Sequence, residues 1–371
     1  MPDRPPPTTA HDVALLRLVA QRLAGPRAGT PREAVAHLTA VQSQDLPGAL
    51  RSVALRTGST VADVVRAVDG GEVVRTWPMR GTLHLVDSRD ALWMVPLMAG
   101  RPRAAAAQRR GQLGLTDEHV EKAGVVLTAA LTGGAGLSRQ EVLALWTDAG
   151  LPTAQGAGYH LLAFLAQTGV VCLGPFRAGE QVFVLTAEWV RDPRVLGRDL
   201  DEEEALAEIA LRYAQGHGPS SVQDLARWTG LPLGHVRRGL ASVAEQLSTL
   251  ELDGRVLHVA PELLDAFPAH REDARRTMLL PGFDEIVLGY ADRSVTVAPE
   301  HADRIVPGGN GVFRPTVLHD GRAVGVWRVV GSGKRRRVEA EPFGRWPRGV
   351  AAEVERLGAS VVDEGAATGG G

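Results

Sequence analysis

One cysteine occurs in 371 residues, Cys172 in the apolar run "GVVCLG". An internal disulfide framework is therefore excluded, and so is any cysteine-based zinc site. A buried, inert thiol is the expected role. Aromatic residues make up only 5% of the chain, and lysines are few beside arginines. No stretch approaches the ~18 uninterrupted apolar residues of a membrane span, and "MPDRPPPTTAHD" lacks the apolar centre of a signal peptide. A soluble, cytoplasmic protein without a membrane partner is expected. An excess of one charge is missing too. The 41 basic and 43 acidic residues leave a formal charge of −2, so the chain carries no global basic field.

The common catalytic signatures are also missing. The 11 histidines show no H-E-x-x-H or comparable ligand spacing. "VGSGKRR" lacks the G-x-x-x-x-G-K-S/T spacing of a phosphate loop, and neither a G-x-S-x-G elbow nor a G-x-G-x-x-G fingerprint opens any segment. No metal, nucleotide cofactor or covalent serine or cysteine chemistry is expected. Isolated histidines on apolar helices, such as His37 and His160, are more simply packed or capping residues.

What is present is an order of elements that recurs. "HDVALLRLVAQRLAG" reads as a helix, and a second begins with Thr30 as N-cap, Pro31 and Glu33. A third opens at Thr60 with Asp63, and two strand-like pieces follow, "VVRTWPM" and "GTLHLVDS". From Thr116 the order repeats: "DEHVEKAGVVLTAAL", then a helix capped by Ser138 and Glu141, then "GAGYHLLAFLAQTG" and the hairpin "VVCLGPFRAGEQVFVLT". It repeats again from Asp201, ending in "LSTLELDGRVLHVAP" with an Asp-Gly turn. Three helices and a two-stranded hairpin outline a winged helix, a helix-turn-helix variant.

The expected class is α+β: three tandem winged-helix units over 10–110, 115–195 and 200–275, and a β-rich C-terminal element over 276–350. In that element "MLLPGFDEIVLGY", "VFRPTVLHDGRAVGVWRVV" and "RRVEAEPFGRW" alternate as strands do. Residues 351–371 read as a helix end and a flexible tail. A monomer is expected.

Charge is segregated locally. Arg101, Arg103, Arg109 and Arg110 lie in "GRPRAAAAQRRG", and Lys334, Arg335, Arg336 and Arg337 follow two glycines in "GSGKRRR". The first predicted wing gathers Arg75, Arg80, Thr82 and His84 beside Trp77. A solvated surface accounts for each run singly. Together they suit one face presented to a phosphate backbone. "LPGFDEIVLGYADR" carries Asp284, Glu285 and Arg293 around apolar residues, and an internal ion pair between Asp284 and a basic neighbour is expected.

"LTAVQSQDLPGAL", residues 38–50, places Gln42 and Gln44 two apart at the end of the second helix. On a continuing helix their side chains point about 200° apart. Asp45 and Pro47 argue that the helix stops, and Pro47 biases Leu46 away from the α region. In an extended chain residues i and i+2 fall on one side. Both amides then face one small volume, such as that of a bound water.

The blocks "AVQSQDLPGA", "MRGTLHLVDSRD", "LLPGFDEIVLGYADR" and "NGVFRPTVLHDGRAVGVWR" resemble the signature blocks of the AlkZ/YcaQ-like winged-helix DNA glycosylases. They run in family order over nearly the whole chain. The motif has the Q-x-Q form of the AlkZ-like branch, with Ser43 where the family often has an aliphatic residue. The resemblance implies tandem winged helices and a β-rich element around a DNA channel. It implies a monofunctional glycosylase without metal or cofactor, with Gln42 and Gln44 catalytic. The implied partner is duplex DNA with N7-alkylated purines, including bulky adducts and interstrand crosslinks, and the implied role is alkylation repair or self-resistance to a DNA-alkylating natural product. Candidate DNA contacts are then Arg75, Arg80, Thr82, His84, Arg101, Arg103, Arg109, Arg110, Lys334, Arg335, Arg336 and Arg337. Trp77 and Phe313 are candidate wedges, with buried packing as the alternative. A non-catalytic winged-helix regulator competes, although helices such as "GYHLLAFLAQTG" are too apolar to read base edges. A protein–protein scaffold predicts no DNA affinity at all.

Overall fold

The computed structural model describes Pro6 and residues 8–368; the side chains of Lys334 and of residues 363–368 lie outside the described set. Local signals place most elements. Thr30 accepts from the Glu33 N–H with Pro31 in the first turn, and Ser138 and Glu141 cap each other reciprocally. The helices Asp117–Leu131, Arg139–Asp148 and Ala157–Gln167 precede the hairpin Val171–Arg177/Glu180–Leu185. Glu202–His217, Val222–Thr229 and Leu233–Ser242 precede Ser248–Leu252/Arg255–Val259. The turn at Asp253 and Gly254 has φ of 50° and 77°, the primed geometry that matches strand twist. The helix–hairpin order read from the sequence therefore recurs, and the α+β class stands.

Three segments depart from the sequence reading. The second helix, Pro31–Leu38, ends before the glutamines rather than at them, and Leu46–Thr57 forms an additional helix. Asp45 starts this helix instead of stopping one, because its side chain accepts from the Gly48 N–H. Pro47 falls in the first turn, where no N–H is needed. "DEIVLG" is a helical turn, Glu285–Leu288, capped by Asp284, and not a strand. The C-terminal helix runs over Val350–Thr368, well into the expected tail. Val350, Val354, Leu357 and Val361 recur at helical spacing and pack on Leu279, Val317 and Trp327. Helices Ala91–Met98, Gly100–Gln112 and Pro261–Ala274 were not distinguished in the sequence.

The chain divides into two compact units. The first comprises Met1–Val64, Leu206–Trp228 and Pro232–Gly371, and the second Val65–Ala205 with Thr229–Leu231. In the first, an antiparallel sheet has the order Arg337–Pro342, Arg322–Val330, Thr316–His319, Met278–Leu280. Its larger core joins Leu15, Leu18 and Leu23 to Leu280, Ile286 and Leu318, each such burial contributing about 1.5–3 kcal/mol. In the second, the hairpin Val73–Met79/Thr82–Asp87 pairs through Arg75 and Leu173 with the hairpin Val171–Arg177/Glu180–Leu185. Its core holds Trp146, Leu161, Leu127 and Phe183.

Candidate active site

The chain is extended over Val41–Gln42, between the two helices, so the glutamines fall on one side. Gln42 is 3% exposed, Ser43 is fully buried and Gln44 is exposed. The Gln44 main-chain N–H donates to Gln42 Oε1 at 3.3 Å. That donor fixes the Gln42 amide with its oxygen toward the Gln44 main chain, so Nε2 faces the Gln44 side chain and donates to Gln44 Oε1 at 2.7 Å. The pair thus holds two carbonyl oxygens in a defined orientation at the edge of solvent, each with lone-pair capacity left for a water proton.

Behind the pair lies a buried polar layer built on Glu285, whose partners the sequence did not indicate. The Gln42 main-chain N–H donates to Glu285 Oε1 at 3.2 Å. Glu285 Oε2 accepts from Trp228 Nε1 at 2.9 Å and lies 3.4 Å from His217 Nε2. Glu285, His217 and Trp228 are all fully buried. Burial pushes the His217 pKa down while Glu285 pulls it back up, so the ring is neutral and presents Nε2–H to the carboxylate. Its ring stacks on Tyr213 with centroids 4.5 Å apart.

Asp284 is ion-paired, with the distant Arg56 rather than a basic neighbour, in a two-pronged contact at 2.9 Å for each oxygen, with Ser52 Oγ donating to Oδ2 at 2.7 Å. Arg56 Nη2 also donates to Gln21 Oε1 at 2.7 Å, Gln21 Nε2 to the Tyr290 hydroxyl at 3.0 Å, and Tyr290 to the His217 carbonyl at 2.9 Å. The Arg17 guanidinium lies 3.6 Å over the Tyr290 ring. The flag in the sequence was the acid pair in "PGFDEIVLGY"; its partners lie in distant segments and carry no local signal.

The basic candidates are placed less uniformly. At the first hairpin, Arg80 and Gly81 both have positive φ, 55° and 70°, an unusual turn for an arginine. Arg80 Nη2 lies 3.1 Å from His84 Nε2. A guanidinium can only donate, so His84 accepts there and its Nδ1–H donates to the Thr82 carbonyl at 3.0 Å. His84 is fully buried, whereas Arg80 and Thr82 are half-buried. Arg75 donates to Gln181 at 3.2 Å, and burial pushes its pKa down to about 10. Helix Gly100–Gln112 has no buried residue: Arg101 and Arg109 are exposed, Arg103 and Arg110 half-buried. Arg110 pairs with Asp117 at 3.1 Å.

Arg335 and Arg337 are exposed and Arg336 half-buried, all at the tip of the hairpin Arg322–Val330/Arg337–Pro342. Arg337 is paired with Glu339, and the Lys334 side chain lies outside the described residues. Trp77 (3% exposed) and Phe313 (6%) are core residues, so packing accounts for both. Cys172 is buried, its thiol pushed up to about 12, an inert group as expected.

The family model described as DNA glycosylase AlkZ-like matches residues 35–362. A curated protein of Streptomyces sahachiroi, named interstrand DNA cross-link repair glycosylase, is 29% identical over 323 residues, covering 80% of this chain and 82% of its own. The solved structure of Streptomyces sahachiroi DNA glycosylase AlkZ superposes with a TM-score of 0.81 at 26% identity, covering 97% of each chain.

Proposed function

Because this chain belongs to the AlkZ-like family of DNA glycosylases, we propose that it excises N7-alkylated purines from duplex DNA with a water held by Gln42 and Gln44. Membership of that family sets aside the non-catalytic regulator and the scaffold. One observation carries the residue assignment: the convergence of one buried and one exposed amide through the 2.7 Å bond from Gln42 Nε2 to Gln44 Oε1.

The chemistry suits neutral amides. Alkylation at N7 makes the base cationic, so the glycosidic bond breaks with its electron pair going to a neutral leaving base. An oxocarbenium-like sugar remains, and water forms the new bond at C1′, after which its proton passes to solvent. The amide oxygens need only orient that water and face the positive charge developing on the sugar. A contribution of about 10²–10³-fold, roughly 3–4 kcal/mol, is within reach of two oriented hydrogen bonds. Unmodified bases are poorer leaving groups, so selectivity arises largely from leaving-group chemistry.

The name of the curated relative supports extending the substrates to interstrand crosslinks in a repair role; bulky adducts and self-resistance are further parts of this proposal. For DNA contact the exposed or half-exposed Arg80, Thr82, Arg101, Arg103, Arg109, Arg110, Arg335, Arg336 and Arg337 are favoured. Arg75 and His84 would support them from beneath. The test is a labelled duplex carrying 7-methylguanine, with abasic sites cut by alkali. Release by wild type that collapses in Gln42→Ala and Gln44→Ala, with duplex binding retained, is the expected result. Unchanged release in both variants refutes the assignment.

A further inference from the structure

Gln42 is held from two directions. Its side chain is tied to Gln44, and its main-chain N–H is tied to Glu285, 243 residues further along. A strand N–H is ordinarily satisfied by a carbonyl or by water. A fully buried carboxylate is a costly substitute, because taking the ion out of water costs several kcal/mol. Both Glu285 oxygens meet donors on constrained groups. Oε1 receives the Gln42 N–H, and Oε2 receives the Trp228 indole, with His217 beside it. The rings of His217, Tyr213 and Trp228 pack within 4.5 to 5.2 Å of one another, so the seat of the carboxylate is rigid. Next to it, Asp284 binds Ser52 and Arg56 on the helix that follows the motif. The two adjacent acids therefore grip the chain on both sides of Gln42-Ser43-Gln44.

We propose that Glu285 is a positioning residue for base excision: by holding the Gln42 main chain it sets the orientation in which the amide pair offers its oxygens to the attacking water. The inference rests on the water-holding assignment above. Its physical basis is the narrow tolerance of the pair. The Gln44 N–H reaches Gln42 Oε1 at 3.3 Å, near the long end for a hydrogen bond, so a shift of a few tenths of an ångström breaks it. The Gln42 amide is then free to turn over and face Gln44 Oε1 with its own oxygen. The acceptor geometry is lost although both glutamines remain.

The test uses full-length protein and the 7-methylguanine duplex, measuring the single-turnover release rate and the duplex Kd separately. Glu285→Gln keeps the shape but replaces one acceptor oxygen by a donor. It is expected to slow release by about 10–100-fold, the scale of a small misplacement of catalytic groups, with Kd unchanged. Placed on Gln42→Ala, it is expected to cause no further loss, since its effect passes through Gln42. A wild-type rate in Glu285→Gln, or a loss that multiplies with that of Gln42→Ala, overturns the proposal. If Glu285→Gln does not fold, Trp228→Phe carries the test, because it removes one donor to the carboxylate and leaves the ring stack. A severalfold slowing that vanishes on Gln42→Ala supports the proposal; an unchanged rate overturns it. Release by wild type that is insensitive to Gln42→Ala defeats the water-holding assignment itself, a result distinct from failure at Glu285 alone.

Discussion

Replacing Arg56 by methionine leaves a side chain of similar reach but strands a buried anion. Arg56 and Asp284 expose 1% of their side chains each, and the guanidinium meets both carboxylate oxygens at 2.9 Å. Without it, among the described residues Asp284 keeps the Ser52 hydroxyl and the Ile286 N–H as donors. Uncompensated burial of that charge is expected to cost about 3–5 kcal/mol. Adding Asp284→Asn removes the charge while keeping an acceptor for the Ile286 N–H. The double variant is therefore expected to be more stable than Arg56→Met alone, a coupling of opposite sign to simple addition. Urea unfolding followed by circular dichroism at fixed pH measures all three proteins. A cost below about 1 kcal/mol for Arg56→Met would refute the argument that desolvation governs this pair. So would strict additivity in the double variant.

Other outcomes follow from the same geometry. His37 donates to the Ala20 carbonyl at 2.6 Å, and burial lowers its pKa from 6.5 to about 4. The unfolded chain then takes up a proton between those values that the folded chain does not. The stability this neutral histidine contributes is present above pH 6.5 and is lost as pH falls toward 4, by up to about 3 kcal/mol. Urea midpoints across that range should fall, and less steeply in His37→Gln; equal slopes would contradict this. Asp45→Ala should cost about 1 kcal/mol through loss of the helix cap while Asp45→Asn costs little, as thermal unfolding would reveal. If Arg101 and Arg335 contact phosphates, alanine at each should weaken binding alike on all sequences and reduce the slope of log K against log salt by about 0.9. An unchanged slope removes that residue from the interface.

Much of this architecture was legible in short windows. The Thr30, Thr60 and Ser138 caps, the Asp253-Gly254 turn and the hairpin "VVCLGPFRAGEQVFVLT" rest on contacts between residues a few positions apart. Such contacts survive in isolation, so periodicity and turn chemistry report them. The helix Leu46–Thr57 was misread for a local reason: Asp and Pro end one element and begin another with the same residues, and only the Asp45–Gly48 bond distinguishes the two. "DEIVLG" was read as strand because a short apolar run has no decisive period.

At the candidate site the division is sharper. The sequence by itself indicated that Gln42 and Gln44 share a side once the chain is extended there, although the helix ends at Leu38 and the Asp45 and Pro47 that suggested the break instead start the next helix. It also marked Asp284 as half of an ion pair. Which cation answered, and that Glu285 reaches the Gln42 backbone while Trp228 and His217 seat its second oxygen, was decided only by tertiary structure. Those contacts join residues 57 to 243 positions apart. The same holds for His84, polar in sequence yet wholly enclosed beneath Arg80. A buried charge is tolerable only where packing brings its partners together, and that condition is met by the folded chain as a whole, not by any segment of it.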